Sequence, residues 1–266
     1  LYAFSTLLKF INFSTIKLPV MTHKTKAIIL RSIKYGETSL VVTAFTELYG
    51  IQTYLVNGVR ATYKKNNNTA CFQPSVILGM EVYHNELKKM QRIKEYGFAH
   101  LYQNILSSVL KYSVALFMVE LLYKTLKQPE NNPALFNFCE DALMHLDEAS
   151  ATVTANFPLF FTLHLSYFFG FKINEEGSGE ANSFIDLQEG CFTSVLPNHP
   201  HFLAGEDVKI TSELLKTMQP AELDSLQLNK QKRQHLLAKY LEYYQLQHHN
   251  FGQMKTLAVL EEVLSN

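Results

Sequence analysis

The sequence predicts an α+β protein: a small five-stranded closed β-barrel, followed by an α-helical domain with an irregular insertion. Five short apolar, β-branched runs separated by turn residues fall between Lys24 and Tyr96. After Gly97 the apolar spacing changes to every three or four residues. Charge is also divided unevenly. Residues 21–100 hold 11 Lys/Arg against 5 Asp/Glu, a net of +6, whereas residues 101–266 hold 11 against 19, a net of −8. A basic part joined to an acidic part suggests two domains, 21–97 and 98–266, with different partners.

The runs Ala27–Ile33 and Leu40–Phe45 flank Tyr35-Gly36-Glu37-Thr38 and predict a hairpin, with Gly36 turning the chain. The second run is nearly continuous in apolar residues, as expected of a strand with the barrel core on one side and a helix on the other. Gly50 closes the next turn and Ile51–Val56 returns. The polar tract from Gly58 to Asn68 cannot pack a core and predicts a loop. Val76–Tyr83 follows Pro74, and Met90–Tyr96 follows the polar turn Asn85–Lys89. Five strands and four turns in about 75 residues suffice for a small closed barrel.

Beyond Gly97 the spacing Ile105, Val109, Tyr112, Leu116, Val119, Leu122, Leu126 predicts a helix over 101–126, ended by Pro129 and Pro133. A second helix is expected over Pro133–Leu146. A third is expected from Asn156 as its cap, with Pro158 in the first turn and Gly170 as the stop. Its residues are apolar almost all round, which marks it as the buried centre of the helical domain. Phe171 to Gly205 is rich in Gly and Pro and predicts irregular structure, with a short hairpin at 184–191. Helices resume over 212–218, 230–250 and 256–264. Residues 1–20 lack the basic start and cleavage site of a signal peptide, and are expected to be an upstream extension ahead of Met21, outside the fold.

Cys71, Cys139 and Cys191 are few, odd in number and widely spaced, which fits a reducing, cytoplasmic compartment without a disulfide framework. No uncharged apolar stretch approaches the roughly 20 residues of a membrane-spanning helix. The sequence contains no phosphate-binding Gly-rich loop, zinc-protease motif, nucleophile elbow or cysteine pair, so an enzymatic reading has no support.

The run Lys26-Ala-Ile-Ile-Leu-Arg-Ser-Ile-Lys-Tyr-Gly-Glu-Thr-Ser-Leu-Val-Val-Thr43 resembles the opening strand pair of the bacterial RecO family of DNA repair proteins. Gly50, Gly58-x-Arg60, Phe72-Gln73-Pro74 and Phe168-Phe169-Gly170-Phe171 extend the resemblance in order along residues 22 to 264. The resemblance implies an N-terminal OB-fold, a helical domain and a recombination-mediator role without catalytic activity. It implies binding to single- and double-stranded DNA and annealing of complementary strands. RecR and single-strand-binding protein are the implied partners, with RecA loaded indirectly, in a cytoplasmic, nucleoid-associated setting. Many members of that family carry a zinc site of two Cys-x-x-Cys pairs in the insertion. Here only Cys191 remains, with His199 and His201 nearby and no evident fourth ligand, so the zinc is expected to be lost and no cofactor is expected.

An OB barrel holds single strands with a cationic groove and aromatic platforms. The candidate cations are Arg31, Lys34, Arg60, Lys64, Lys65, Lys88, Lys89, Arg92 and Lys94, and the candidate platforms are Tyr35, Tyr54 and Tyr63. Any one lysine is most simply a solvated charge; the group carries the reading, with Arg31 and Arg60 foremost. In the last long helix Lys230, Lys232 and Arg233 occupy the first turn, followed by Leu236 and Leu237. They read either as a surface turn paired with acids of the same domain or as a dock for an acidic, apolar-ended partner peptide. Two competing functions stay open: a protein-interaction adaptor without direct DNA binding, and a generic RNA-binding barrel.

Overall fold

The computed structural model describes residues 21–60, 68–126, 128–174, 184–248 and 250–264. Five strands close into a barrel: β1 (Thr22–Tyr35), β2 (Ser39–Thr46), β3 (Gly50–Val56), β4 (Ile77–Tyr83) and β5 (Gln91–Phe98). Their order around the barrel is β1-β2-β3-β5-β4, with β4 pairing back onto β1 and β3 lying parallel to β5. The strands lie within a residue or two of the expected runs, except that β1 starts earlier. Its first half pairs with β4 and its second half with β2.

The β1–β2 register breaks between Ile29 and Arg31, so Leu30 and Arg31 together oppose Thr43. Before this bulge Ala27 and Ile29 fill the barrel interior with Val42, Ala44, Tyr54, Leu78 and Val82. Ile28 and Leu30 instead join Phe45, Ile77 and the helices in a second core. The outer surface of β1, β2 and β4 is thus partly covered by the helical domain, as the apolar second run led one to expect. Phe45 meets Phe136 with ring centroids 5.6 Å apart, and Lys26 forms an ion pair with Glu140.

The helical domain contains α1 (Val109–Thr125), α2 (Pro133–Glu148), α3 (Ala151–Tyr167), α4 (Glu206–Lys216), α5 (Lys230–Gln247) and α6 (Thr256–Val263). α1 starts eight residues later than the apolar spacing suggested. The backbone N–H groups of Gln103, Asn104 and Ile105 are instead held by the carboxylate of Asp147 at 2.7–2.8 Å. The Asp147 carbonyl accepts from the Asn104 side chain at 2.8 Å and from Lys111 Nζ at 2.7 Å. One buried carboxylate near the end of α2 thereby fixes the segment that joins barrel to helices.

α3 begins at Ala151 and is capped by Ser150, not Asn156, so Pro158 lies inside the helix. The interior proline deprives a carbonyl of its amide donor, and burial around nearly the whole circumference of α3 outweighs that loss. Asn156 is fully buried and donates to the Leu223 and Leu226 carbonyls at 3.1 and 2.8 Å. Between α3 and α4 the insertion forms a three-stranded sheet with β6 (Phe184–Asp186) between β7 (Cys191–Thr193) and β8 (Phe202–Ala204), rather than a hairpin alone. Strands of three residues carry too little alternation to reveal the third. Glu120 of α1 accepts from the Lys255 and Thr256 amides at 2.9 and 2.7 Å, which joins α6 to the bundle.

Gly50 illustrates how closely barrel and helices meet. Its φ is +61°, and a Cβ there would lie 2.2 Å from the backbone carbonyl oxygen of Glu130. Gly50→Ala is expected to destabilise the fold by about 2–4 kcal/mol in chemical denaturation, through strained backbone and the collision with Glu130. Burial alone would raise the Asp147 carboxyl, but the three amides and Lys111 outweigh it and hold it below the usual 3.8. A depressed carboxyl contributes stability above its unfolded value and loses it as pH falls through the folded one. Asp147→Asn is expected to cost about 2 kcal/mol at neutral pH. Denaturation at a series of pH values should show the gap to the native chain closing below the usual carboxylate range.

Candidate nucleic-acid interface

Residues directly opposite in a sheet share a face, so the register defines what the barrel presents outward. Beyond the bulge, Arg31 aligns with Thr43, and Thr43 with Thr53. The next outward row is Ile33, Val41, Leu55 and Arg92, and the row beyond it is Tyr35 with Ser39. Arg31, Ile33, Tyr35 and Arg92 are exposed, whereas the residues between them are half-buried. The β1-β2-β3 surface left bare by the helices is therefore a sheet with cations on opposite sides, an aromatic ring at the turn, and apolar and hydroxyl side chains between.

Lys34 aligns with Leu40 and lies on the other face of β1, at the barrel end. Arg60 is tied to the β1–β2 turn, its amide donating to the Thr38 carbonyl at 3.0 Å and its Nη1 to the Gly36 carbonyl at 3.3 Å. Tyr63, Lys64 and Lys65 lie outside the described residues. Tyr54 is fully buried in the barrel core and offers no platform. Lys94 is bound to Glu81 at 2.8 Å; that contact raises the lysine and lowers the carboxyl, so this cation is largely neutralised.

The β4–β5 loop brings Lys88 and Lys89 to a groove of about 770 Å³ between the barrel and the α1–α2 connection. Thr43 and Thr53 line this groove too, with Gln91, Tyr123 and His84, so it is continuous with the Arg31 row. His84 stacks on Tyr49 with ring centroids 3.8 Å apart. Burial, helped by His23 and opposed by Glu86, lowers the His84 pKa. Sequence reasoning passed over Thr43, Thr53, His84 and Tyr123. The two threonines stand at outward positions of alternating strands, a legible signal; the other two reach the groove only through tertiary packing.

The first turn of α5 corrects one expectation. Leu236 and Leu237 are buried in the helical core and are not available as an apolar dock. Lys232 is bound at 2.9 Å to both Glu206 and Asp207 in the first turn of α4, and Arg233 donates to the Leu228 carbonyl. Cations at a helix N-terminus oppose its dipole, and the two carboxylates compensate, as the same-domain pairing anticipated. Lys230 is half-buried at the helix start.

Among the described residues, the donors of the insertion contact separate partners. Cys191 opposes Asp186 in the sheet, and its thiol is pushed up by burial and by Asp186 and Glu189. His199 contacts Asp186 at 3.1 Å and His201 contacts Glu242. No group of three or more such side chains among the described residues converges on one point. Where a side chain on Gly190 would stand, the Tyr243 hydroxyl lies 2.5 Å away, and that hydroxyl donates to the Phe171 carbonyl at 2.6 Å. This aromatic contact closes the insertion onto α5.

A five-stranded barrel of this order with a helical domain behind it is an OB-fold protein, a class that receives oligonucleotides on the β2–β3 face and its flanking loops. Residues 21–102 match the family description Recombination protein O N terminal, and residues 106–257 match Recombination protein O C terminal. DNA repair protein RecO of Azobacteroides pseudotrichonymphae is 32% identical over 246 residues, covering 91% of this chain and 99% of that protein. The protein of the same name from Flavobacterium psychrophilum is 32% identical over 248 residues, covering 92% and 100%. That of Phocaeicola vulgatus is 31% identical over 245 residues, covering 92% and 100%. The chain belongs to the RecO family, and its role lies in DNA repair and recombination. No helix among the described residues is long and apolar enough to cross a membrane.

Proposed function

We propose that this chain is a non-enzymatic recombination mediator that binds and anneals single-stranded DNA and helps load recombinase at gaps and breaks. The observation that carries this reading is the bare β1-β2-β3 surface, where Arg92 ends the row of Ile33, Val41 and Leu55 and the neighbouring row of Arg31, Thr43 and Thr53 continues into the Lys88–Lys89 groove. Cations spaced across a sheet suit successive phosphates, while Tyr35 and the apolar row offer surfaces on which bases of any identity stack. Double-stranded DNA, RecR, single-strand-binding protein and, indirectly, RecA are proposed partners on the strength of family membership. The thiols of Cys71, Cys139 and Cys191 are all raised by burial, so none is an activated nucleophile. A non-enzymatic role in a cytoplasmic, nucleoid-associated setting is proposed on the same family grounds.

Phosphate-dominated binding weakens steeply with salt and shows little sequence preference. Fluorescence anisotropy of the full chain with single-stranded DNA across a salt series should give a linear log–log dependence. Changing Arg31 and Arg92 together to Ala should weaken binding uniformly across sequences and reduce the slope by about 1.4. Weak binding that ignores both salt and these substitutions would favour the adaptor reading, and equal annealing of RNA and DNA strands would favour the RNA-binding one. Atomic absorption on the purified protein should find zinc far below one ion per chain; a full equivalent would contradict the donor geometry of the insertion.

A further inference from the structure

At the tip of the β4–β5 loop Leu87 is 95% exposed, the most exposed of the large apolar side chains in the described residues. It is not on a slack segment. Gln91, only 3% exposed, accepts from the Asn85 amide at 2.9 Å and donates through Nε2 to the Asn85 and Lys88 carbonyls at 2.9 and 2.7 Å. The Asn85 side chain accepts from the Leu87 amide at 2.9 Å, and the Asn85 carbonyl accepts from the Lys88 amide at 3.0 Å. These bonds hold the loop in one shape and keep the leucine from folding back onto the barrel. Lys88 and Lys89 follow it directly, Met90 is also exposed, and Glu86 is the loop's one carboxylate. Leu87 stands at the lip of the groove that shares Thr43 and Thr53 with the Arg31 row.

We propose that Leu87 is an apolar wedge that enters between neighbouring bases of a bound single strand while Lys88 and Lys89 hold the flanking phosphates. An apolar side chain pushed between base steps unstacks them at a cost that backbone contacts repay. The rigid loop meets that requirement, because little ordering remains to be done on binding. The consequence suits annealing: a strand whose stack is opened at the groove lip presents its pairing edges to a complement. The adjoining lysine pair and the continuity with the outward Arg31 row favour nucleic acid.

This inference rests on the DNA-binding reading and is separable from it by readout. A single-stranded oligonucleotide carrying 2-aminopurine, whose emission rises when its neighbours unstack, is titrated with the full chain. At saturation the native chain should raise the emission. Leu87→Ala should lose at least about half of that rise with affinity within about threefold of native, and Leu87→Phe should keep it. Lys88→Ala with Lys89→Ala should weaken binding and lower the salt slope by about 1.4, yet preserve the rise once saturated. An undiminished rise in Leu87→Ala, or native binding with no rise, overturns the wedge while leaving DNA binding intact. Absence of native binding at any salt instead overturns the DNA-binding reading, and the wedge with it.

Discussion

The structure turns on the bulge at Leu30. Up to it, alternation turns Ile28 and Leu30 to the helical core, and the one extra residue then leaves Arg31, Ile33 and Tyr35 on the bare outer surface. Without it, strict alternation would place Arg31 on the side of Ala27 and Ile29, inside the barrel, where an unpaired guanidinium is not tolerated. The same strand thus serves as the seam between domains in its first half and as one margin of the candidate interface in its second. Closing the barrel with β3 beside β5 then sets Arg92 across from Leu55, at the other margin.

The seam is held by several kinds of contact. Phe45 packs on Phe136, the Gly50 turn lies against the Glu130 backbone, and the Tyr102 hydroxyl donates to the Ser75 carbonyl at 2.8 Å. Asp147 immobilises the chain between barrel and α1 at the far end of α2. Because the groove is walled by the barrel on one side and by Tyr123, Pro129 and Asn131 on the other, these contacts also set its width. Stability of the seam and shape of the candidate site are one property.

The barrel strands were legible because each is a short β-branched run closed by a glycine or a polar turn, and the buried α3 because it is apolar all round. The misread starts of α1 and α3 share a cause. Apolar spacing extended backwards past the true cap of α1, since Asp147, more than 40 residues away, claims the amides of the preceding segment. In α3, Asn156 and Pro158 looked like start signals, but tertiary partners claim the first and the packed surroundings tolerate the second. The α5 turn shows the same limit. The sequence leaves both a docking site and same-domain structure open for Lys232 and Leu236, and α4 supplies the carboxylates while the core encloses the leucine.

The sequence by itself determined the element types, the basic barrel joined to an acidic helical part, the family resemblance, and the absence of a four-cysteine metal set. These follow from local chemistry: propensity, period, charge and residue identity. Only the tertiary structure decided which cations share a face, because a one-residue bulge reverses the parity of everything after it and carries almost no sequence signal. It also decided that Tyr54 is core, that Lys94 is neutralised by Glu81, and that Leu87 stands clear of the barrel on a braced loop. Each depends on partners distant along the chain, whose identity becomes known only when the barrel closes and the helices cover part of it.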